Sequence, residues 1–272
     1  MIKNSISNIL FSIGITLISL NLVGLFIDLR NEDIYHEKIN NGFGLELTIK
    51  EFYSELDKVY DNSKLSDSTK IIKTTELVNK GLVYYWRDEG ISKYNLTIPI
   101  YENYLLFLSR FIYPKIFKKY EFLDWQKALE RGVGLSSQFA IIESEILNEN
   151  GINSKIILLS GHIVVMTQYN SNNWMIVDPR YGVNIPFDIT FIQNNVDIIE
   201  EFYIDKGYDS ATVTELKENY KEEGNFIIKN ADVYKGRSGI VESISYWLIW
   251  IIPITLITPY FKRKLYKIHS KE

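Results

Sequence analysis

The sequence predicts an α+β protein in which a helix packs on an antiparallel sheet and two transmembrane helices flank the domain. Three observations lead to this fold class. Helical periodicity runs through much of residues 48–151, short β-branched runs alternate with turns over residues 154–182, and both ends of the chain carry long uncharged segments. With 46% apolar and 24% charged residues, a chain of 272 residues can bury a hydrophobic core.

The first uncharged segment runs from Asn4 to Ile27, and its 24 residues are rich in Ile and Leu. A helix of this length crosses a hydrocarbon core of roughly 30 Å. The DLRNED sequence that follows has no small-residue cleavage pattern, which favours a retained anchor over a cleaved signal peptide. We therefore predict an N-terminal transmembrane helix over residues 1–30.

The second uncharged segment, residues 243–261, has aromatic residues at both borders and leads into a basic tail, residues 262–272. Pro253 and Pro259 are unusual inside a soluble helix but are tolerated in a membrane helix, where neighbouring groups satisfy the freed carbonyls. A C-terminal transmembrane helix over 243–261 is the favoured interpretation, and a buried core helix is the alternative.

The basic residues predict the orientation, because Lys and Arg are retained on the cytoplasmic side of membranes. One of them, Lys3, precedes the first span, and four follow the second: Lys262, Arg263, Lys264 and Lys267. Both termini are therefore expected in the cytoplasm and residues 31–242 outside it. That segment holds 23 Lys and Arg against 32 Asp and Glu, so as a whole it should not be drawn to anionic lipid headgroups.

The composition also excludes several classes of function. A formal net charge of −4 gives no basic surface for nucleic acid. The absence of cysteine excludes disulfides, thiolate metal sites and thiol catalysis, and three histidines make a closed zinc site improbable. We expect no cofactor and no metal.

The segment 31–242 opens with helices, predicted over residues 48–62 and 66–87. A short helix from Asp124 to Gly132 and a longer one behind Leu135 precede the runs SKIILLSG, HIVVMTQY and NWMIVDPRYG. These runs are separated by glycine and by NSNN, which indicates neighbouring antiparallel strands. A further helix is predicted in TVTELKENYKEEG.

Three residues on these elements could form a nucleophile, base and orienting acid: Ser136, His162 and Asp178. They begin a helix and lie on two successive strands, 26 and 16 residues apart, so one site can hold all three. A hydroxyl at a helix N-terminus gains from the positive potential there, an imidazole can accept its proton, and a carboxylate can fix the imidazole tautomer. Each residue alone has a simpler structural explanation, as a cap, a core histidine or a turn residue.

Residues 124–188 resemble the transglutaminase-like core of the papain-like superfamily, in its bacterial cell-envelope branch. GVGLSSQFA is similar to the Gly-x-Cys-x-x-x-Ala nucleophile turn, which places the catalytic cysteine of that family on Ser136. NGINSKIILLSGHIVVMTQY is similar to its strand pair with Gly-His, which places the catalytic histidine on His162. NNWMIVDPRYG is similar to Trp-x-x-x-Asp-Pro-x-Tyr-Gly, which places the orienting acid on Asp178.

This resemblance implies acyl transfer or amide or ester hydrolysis at the bacterial cytoplasmic membrane, alongside envelope polysaccharide or peptidoglycan assembly. Serine in place of cysteine leaves the enzymatic activity open. Ser136 could form an active Ser-His-Asp variant with His162 and Asp178, belong to an inactive subunit that binds a glycan, a peptide or a membrane complex, or be a trapping substitution. For the oxyanion, the backbone N–H near Ser136 is one expected donor, and Trp125, Asn103 and Tyr104 are candidates for the second.

Overall fold

The computed structural model of the protein describes residues 2–35, 45–221 and 225–269. The helices are α1 (Ile2–Gly24), α2 (Ile49–Tyr60), α3 (Asp67–Gly81), α4 (Gly90–Lys93), α5 (Tyr104–Ile112), α6 (Pro114–Phe117), α7 (Trp125–Arg131), α8 (Ser136–Glu149), α9 (Ile189–Asn194), α10 (Ile199–Asp205), α11 (Ser210–Lys221), α12 (Ala231–Lys235) and α13 (Arg237–His269). The strands are β1 (Val83–Tyr84), β2 (Val133–Gly134), β3 (Ser154–Leu159), β4 (His162–Gln168), β5 (Trp174–Asp178), β6 (Val183–Ile185) and β7 (Phe226–Ile228). His36, residues 270–272 and the side chains of Lys3, Lys267 and His269 lie outside the described part.

The chain divides into two compact units. The helical unit comprises residues 1–29, 95–120 and 237–272, and the sheet unit comprises residues 30–94 and 121–236. The sequence placed residues 95–120 in the extracytoplasmic domain, whereas the structure groups them with the two apolar helices. Long-range hydrogen bonds account for this, because polar side chains of residues 95–120 bind α13.

In the helical unit, α1 and α13 pack antiparallel. Arg263 Nη2 donates to Asn8 Oδ1 at 2.9 Å near one end of the pair, and Asn21 Nδ2 donates to the carbonyl of Ile249 at 2.6 Å near the other. The beginning of α1 therefore lies beside the end of α13. Both helices are long and apolar enough to cross a membrane, over Ser5–Gly24 and Arg237–Tyr266.

The crossing of α1 and α13 is close because Gly14 has no side chain. A Cβ atom at Gly14 would lie 2.6 Å from Ile257 Cγ2 and 2.8 Å from the carbonyl oxygen of Pro253. Small residues permit this close approach of helices in membranes. Pro253 lies inside α13, as the sequence analysis allowed for a membrane helix.

In the sheet unit, five strands of the described residues form one antiparallel sheet in the order β6-β5-β4-β3-β7. The register pairs Ile157 with Val164 and Val165 with Val177. The three strands predicted between residues 154 and 182 are thus confirmed as neighbours. The α+β class is also confirmed, while the papain-like identity of the core stays a prediction.

Side-chain alternation gives the sheet two buried faces. Val165 and Val177 pack against Ala140 and Leu147 of α8 on the first face. On the second face, Val164 and other alternate strand residues pack against α9, α10 and α11. The further buried side chains of this cluster are Ile157, Leu159, Met166, Ile176, Val183, Ile185, Ile192, Tyr203, Leu216 and Tyr220. The sheet is therefore a central layer between helices.

Local signals explain where the helices begin and end. Thr48 and Glu51 form a capping box at the start of α2, as expected for this sequence pattern. Asp124 caps α7 by accepting from the backbone N–H groups of residues 126 and 127, and Gly132, at φ 78°, ends the helix in a left-handed conformation. These features confirm the short helix predicted between Asp124 and Gly132.

Candidate active site

Ser136 is the first residue of α8, and a short parallel strand pair positions it. After Gly132, strand β2 pairs with β1, and Leu135 is the N-cap of α8 without a side-chain capping bond. The first backbone N–H groups of a helix have no partner within the helix and carry positive potential. Ser136 is 8% exposed, so its hydroxyl lies at an anion-favouring helix start that is nearly closed to solvent.

Gly134 and Gln138 fix the turn that leads into α8. A Cβ at Gly134 would lie 2.5 Å from the Cβ of Gln138, so only glycine fits there. Gln138 is fully buried, accepts from the backbone N–H of Phe122 at 2.7 Å and donates to its carbonyl at 2.8 Å. The GVGLSSQ pattern thus has a local structural reason, independent of any chemistry at Ser136.

His162 and Asp178 form a buried pair on neighbouring strands. His162 begins β4 after a tight turn in which Gly161 has φ 80°, and Asp178 ends β5. His162 Nε2 lies 2.6 Å from Asp178 Oδ2, and the two side chains are 1% and 0% exposed. The sequence predicted this contact for a base and its orienting acid, and these two roles stay a prediction.

Two tyrosines from the helices of the second face support the pair. The Tyr203 hydroxyl donates to Asp178 Oδ2 at 2.7 Å, and the Tyr220 hydroxyl lies 3.5 Å from that of Tyr203. Burial raises the pKa of both tyrosines far above the usual value, so both remain protonated and able to donate. Asp178 Oδ2 therefore accepts two hydrogen bonds.

Tyr181 lies on the other side of the imidazole. Its ring meets the His162 ring edge-on, with 5.5 Å between centroids, and burial raises its pKa to about 12. The Arg180 guanidinium lies 3.6 Å from the centroid of the Tyr84 ring and 4.6 Å from that of Tyr181. A cation and aromatic rings thus border the pair.

The second nitrogen of His162, Nδ1, is buried and has no hydrogen-bond partner among the described residues, and neither has Asp178 Oδ1. Because the aspartate oxygen accepts, Nε2 carries a proton, and in the neutral tautomer Nδ1 holds the lone pair. A buried polar atom without a partner costs about 1–3 kcal/mol. In the neutral tautomer, Nδ1 is the ring atom that can accept a proton.

The structure does not join Ser136 to His162 by a hydrogen bond. Helix α8 packs on the face that carries Val165 and Val177, whereas His162 and Asp178 lie in the alternate positions of their strands. After α8, the chain turns and β3 runs back along the helix, so β3 ends near the start of α8. Because β4 begins directly after β3, the start of α8 lies at the end of the sheet where β4 begins. The structure thus assembles two of the three predicted site residues, and the complete triad remains a prediction.

The candidates for the second oxyanion donor have other partners. Trp125 Nε1 donates to Glu149 Oε1 at 3.0 Å. The Asn103 amide and the Tyr104 hydroxyl donate to α13 within the helical unit. The neighbouring Ser137 donates to a carboxylate oxygen of Glu121.

Sequence reasoning missed the residues around the pair. Arg180 and Tyr181 directly follow the Asp-Pro of the third motif. This position in the sequence was the signal that could have placed them beside His162 and Asp178. Tyr203 and Tyr220 lie 25 and 42 residues beyond Asp178 in helices without a distinctive motif, and only the tertiary fold brings Tyr203 to Asp178.

Comparison of the chain with family models, with curated proteins and with solved structures gives no match in any of the three. The assignment of a function therefore depends on the geometry of His162, Asp178 and Ser136.

Proposed function

We propose that this protein is a membrane-anchored acyltransferase or hydrolase of the transglutaminase-like type, acting on an amide or ester through Ser136, His162 and Asp178. One observation carries the proposal. The buried His162 is bound by Asp178 at Nε2, while its Nδ1 has no partner and is the atom that would take a proton from a nucleophile.

In the proposed reaction, His162 Nδ1 takes the proton of the Ser136 hydroxyl as Oγ attacks the carbonyl carbon. Backbone N–H groups at the start of α8 stabilise the oxyanion, and the protonated imidazole then gives its proton to the leaving group. Water or an amine attacks the acyl ester in the second half and regenerates Ser136. Because His162 is nearly inaccessible, substrate binding must open the site and bring Oγ to Nδ1; hydrogen bonds of this kind often tighten only in the substrate complex.

Fluorophosphonate labelling of the purified full-length protein tests the proposal. We expect a single adduct on Ser136, detected by intact mass and peptide mapping, and none in Ser136→Ala. His162→Ala should slow labelling by about 10²–10⁴-fold, the usual contribution of a general base. Ser160→Ala, in the exposed turn before β4, is the matched control and should label like the wild type. A folded wild-type protein that takes no adduct would reject the hydrolase proposal.

A second function is favoured by the burial of His162 and by the missing bond to Ser136. On this alternative, the protein is an inactive binding or scaffold subunit of an envelope polysaccharide or peptidoglycan assembly complex, and the pair only stabilises the sheet unit. Ser136→Cys distinguishes the two, because an intact site would convert the serine to a reactive thiolate beside His162. Iodoacetamide should then alkylate this cysteine faster when His162 is present than in Ser136→Cys/His162→Ala. Equal rates would favour the scaffold.

We further propose that the protein spans the bacterial cytoplasmic membrane twice, with both termini in the cytoplasm and the sheet unit outside. The antiparallel packing of α1 and α13 supports termini on one side, and the basic residues 262–264 support the cytoplasmic side. Green fluorescent protein exported by the Sec route does not fluoresce outside the cytoplasm, so a fusion after Glu272 should be fluorescent. Alkaline phosphatase fused at the same position should be inactive. An active phosphatase would show that the C-terminus lies outside the cytoplasm and that the proposed orientation is wrong.

A further inference from the structure

The segment formed by α5 and α6 is held against α13 by buried polar contacts within the helical unit. Asn103, the N-cap of α5, donates from Nδ2 to Ser245 Oγ at 2.8 Å. The hydroxyl of Tyr104 donates to the carbonyl oxygen of Ile249 at 3.3 Å. The start of α5 is thereby tied to two consecutive turns of α13.

These contacts set the depth of α5 relative to the apolar part of α13. The uncharged run of α13 begins at Ser243, and Ile249 follows six residues later, about 9 Å further along a helix that rises about 1.5 Å per residue. Tyr104 therefore lies beside the apolar run and not beyond its end. If α13 spans a bilayer, α5 begins at the boundary between headgroups and hydrocarbon.

The face that α5 turns away from the unit is apolar. Leu108, Phe111 and Ile112 follow the i, i+3, i+4 spacing of one helical face, and Phe111 and Ile112 are 66% and 70% exposed. Tyr113 and Ile116 extend the exposed surface onto α6. We call these five residues the α5–α6 patch. Contiguous exposed apolar surface of this kind marks an interaction site.

The charge of the segment differs from that of its surroundings. Residues 104–119 contain four basic residues and no acidic one, although residues 31–242 as a whole are strongly acidic. The basic residues are Arg110, Lys115, Lys118 and Lys119. The Arg110 guanidinium lies 4.1 Å from the centroid of the Phe107 ring and 4.6 Å from that of Phe111, so cation and aromatic surface are adjacent. Basic and aromatic residues on one short helix are typical of segments that lie in the interface of anionic membranes.

The end of α1 lies close to the segment that precedes α5. Gly24 lies so close to the carbonyl of Tyr101 that no Cβ fits between them, which brings this end to the segment preceding α5. Leu25 and Phe26 directly after Gly24 are exposed. The helical unit thus exposes apolar side chains both at the end of α1 and on the α5–α6 patch.

We propose that the α5–α6 patch binds the lipid bilayer as an interfacial element, with its apolar side chains between acyl chains and its basic residues on anionic phospholipid headgroups. The occupant of the patch is the bilayer leaflet at the Gly24 end of α1. This inference rests on the proposed anchoring by α1 and α13. It locally reverses the expectation that an acidic domain avoids anionic lipids.

The absence of cysteine permits a site-specific test in the full-length protein. Phe111→Cys and Ile112→Cys report on the patch, Ile251→Cys on the proposed span and Lys58→Cys on the surface of α2. Each variant carries a bimane label and is placed in vesicles of phosphatidylcholine with phosphatidylglycerol. Quenching is measured with aqueous iodide and with lipids that carry a nitroxide near the headgroup or deep in the acyl chain.

The expected result is strong quenching of the labels at 111 and 112 by the shallow nitroxide lipid, with little quenching by iodide. The label at 251 should respond to the deep nitroxide and the label at 58 only to iodide. If 111 and 112 behave like 58 while 251 is quenched from within the bilayer, the inference is wrong and the anchoring stands. If 251 is also quenched by iodide, the anchoring itself fails.

A second copy of the chain is the competing occupant of the patch. It would protect the labels at 111 and 112 from iodide and from both nitroxide lipids, and the protection would disappear when the protein is diluted into excess lipid. That outcome would overturn the lipid assignment.

A separate experiment tests whether the basic residues of the segment bind anionic headgroups. Removing phosphatidylglycerol should lower the shallow nitroxide quenching at 111, and Lys115→Gln should reduce this dependence on anionic lipid. Lys58→Gln is the matched control on a distant exposed lysine and should change nothing. Equal quenching with and without phosphatidylglycerol would show that the patch does not select anionic headgroups.

Discussion

Asp178→Ala is expected to lower the free energy of unfolding by about 2–6 kcal/mol, because each of two buried donors left without an acceptor costs about 1–3 kcal/mol. The carboxylate accepts from His162 at 2.6 Å and from Tyr203 at 2.7 Å, and both donors would lose their acceptor inside the protein. Urea unfolding of the full-length protein in detergent, followed by tryptophan fluorescence, measures the change. The variant should also lose fluorophosphonate labelling, because His162 would no longer be held in the required tautomer.

Asp197→Ala is the matched control for this substitution. Asp197 is exposed and pairs with Lys217 at 3.0 Å, and surface ion pairs contribute at most about 1 kcal/mol. Asp178→Asn keeps one acceptor oxygen and should fall between the two. If Asp178→Ala proved as stable as Asp197→Ala, the buried pair would have no part in stability.

The second large effect concerns Glu143, which is fully buried between α3 and α8. Its Oε1 accepts from the hydroxyl of Thr75 at 3.0 Å, and its Oε2 has no hydrogen-bond partner. Burial raises the pKa of this carboxyl to about 8 from its ordinary value of 4.5. The folded protein therefore holds a proton on Glu143 at neutral pH.

The sign of the pH dependence follows from that raised pKa. Between pH 4.5 and about 8, the folded state binds a proton that the unfolded state has released. The stabilising contribution of protonated Glu143 is complete below pH 4.5, falls by up to about 1.4 kcal/mol per pH unit above it, and is lost above about pH 8.

Glu143→Gln should remove this slope, because a glutamine side chain stays neutral and can still accept from Thr75. The measurement is the urea midpoint of the wild type and the variant at intervals from pH 5 to 9. We expect the variant to gain stability relative to the wild type as pH rises, by a few kcal/mol in total. Glu218→Gln, on the exposed face of α11, should retain the wild-type slope. Parallel profiles for wild type and Glu143→Gln would mean that Glu143 is already ionised in the folded protein.

Local signals predicted much of the fold. Helices α2, α7 and α8 and strands β3, β4 and β5 arise at the predicted places, because capping residues, glycine stops and side-chain periodicity act within a few residues. The edge strand β7 was missed, since three residues after a charged helix carry too little periodicity to indicate pairing with β3. Residues 95–120 were grouped with the sheet-containing segment because nothing local reveals that Asn103 binds Ser245.

The candidate site was also predictable from the sequence only in part. Element order and spacing permitted a contact between His162 and Asp178, the family resemblance implied it, and the structure brings the two side chains to 2.6 Å. The role of Tyr203 as a second donor to Asp178 could not be predicted, because the two residues meet only when α10 packs on the sheet. The relation of Ser136 to His162 could not be predicted either, since it depends on which face of the sheet α8 covers.

The sequence by itself determined the α+β class, the two long apolar segments and the order of the three candidate residues, because composition, periodicity and capping are properties of neighbouring residues. Only the tertiary structure decided the antiparallel packing of α1 with α13, the attachment of the start of α5 to α13 and the burial of Glu143. Each of these depends on contacts between residues far apart in the chain, whose free energy is gained only after the helices and strands have packed together.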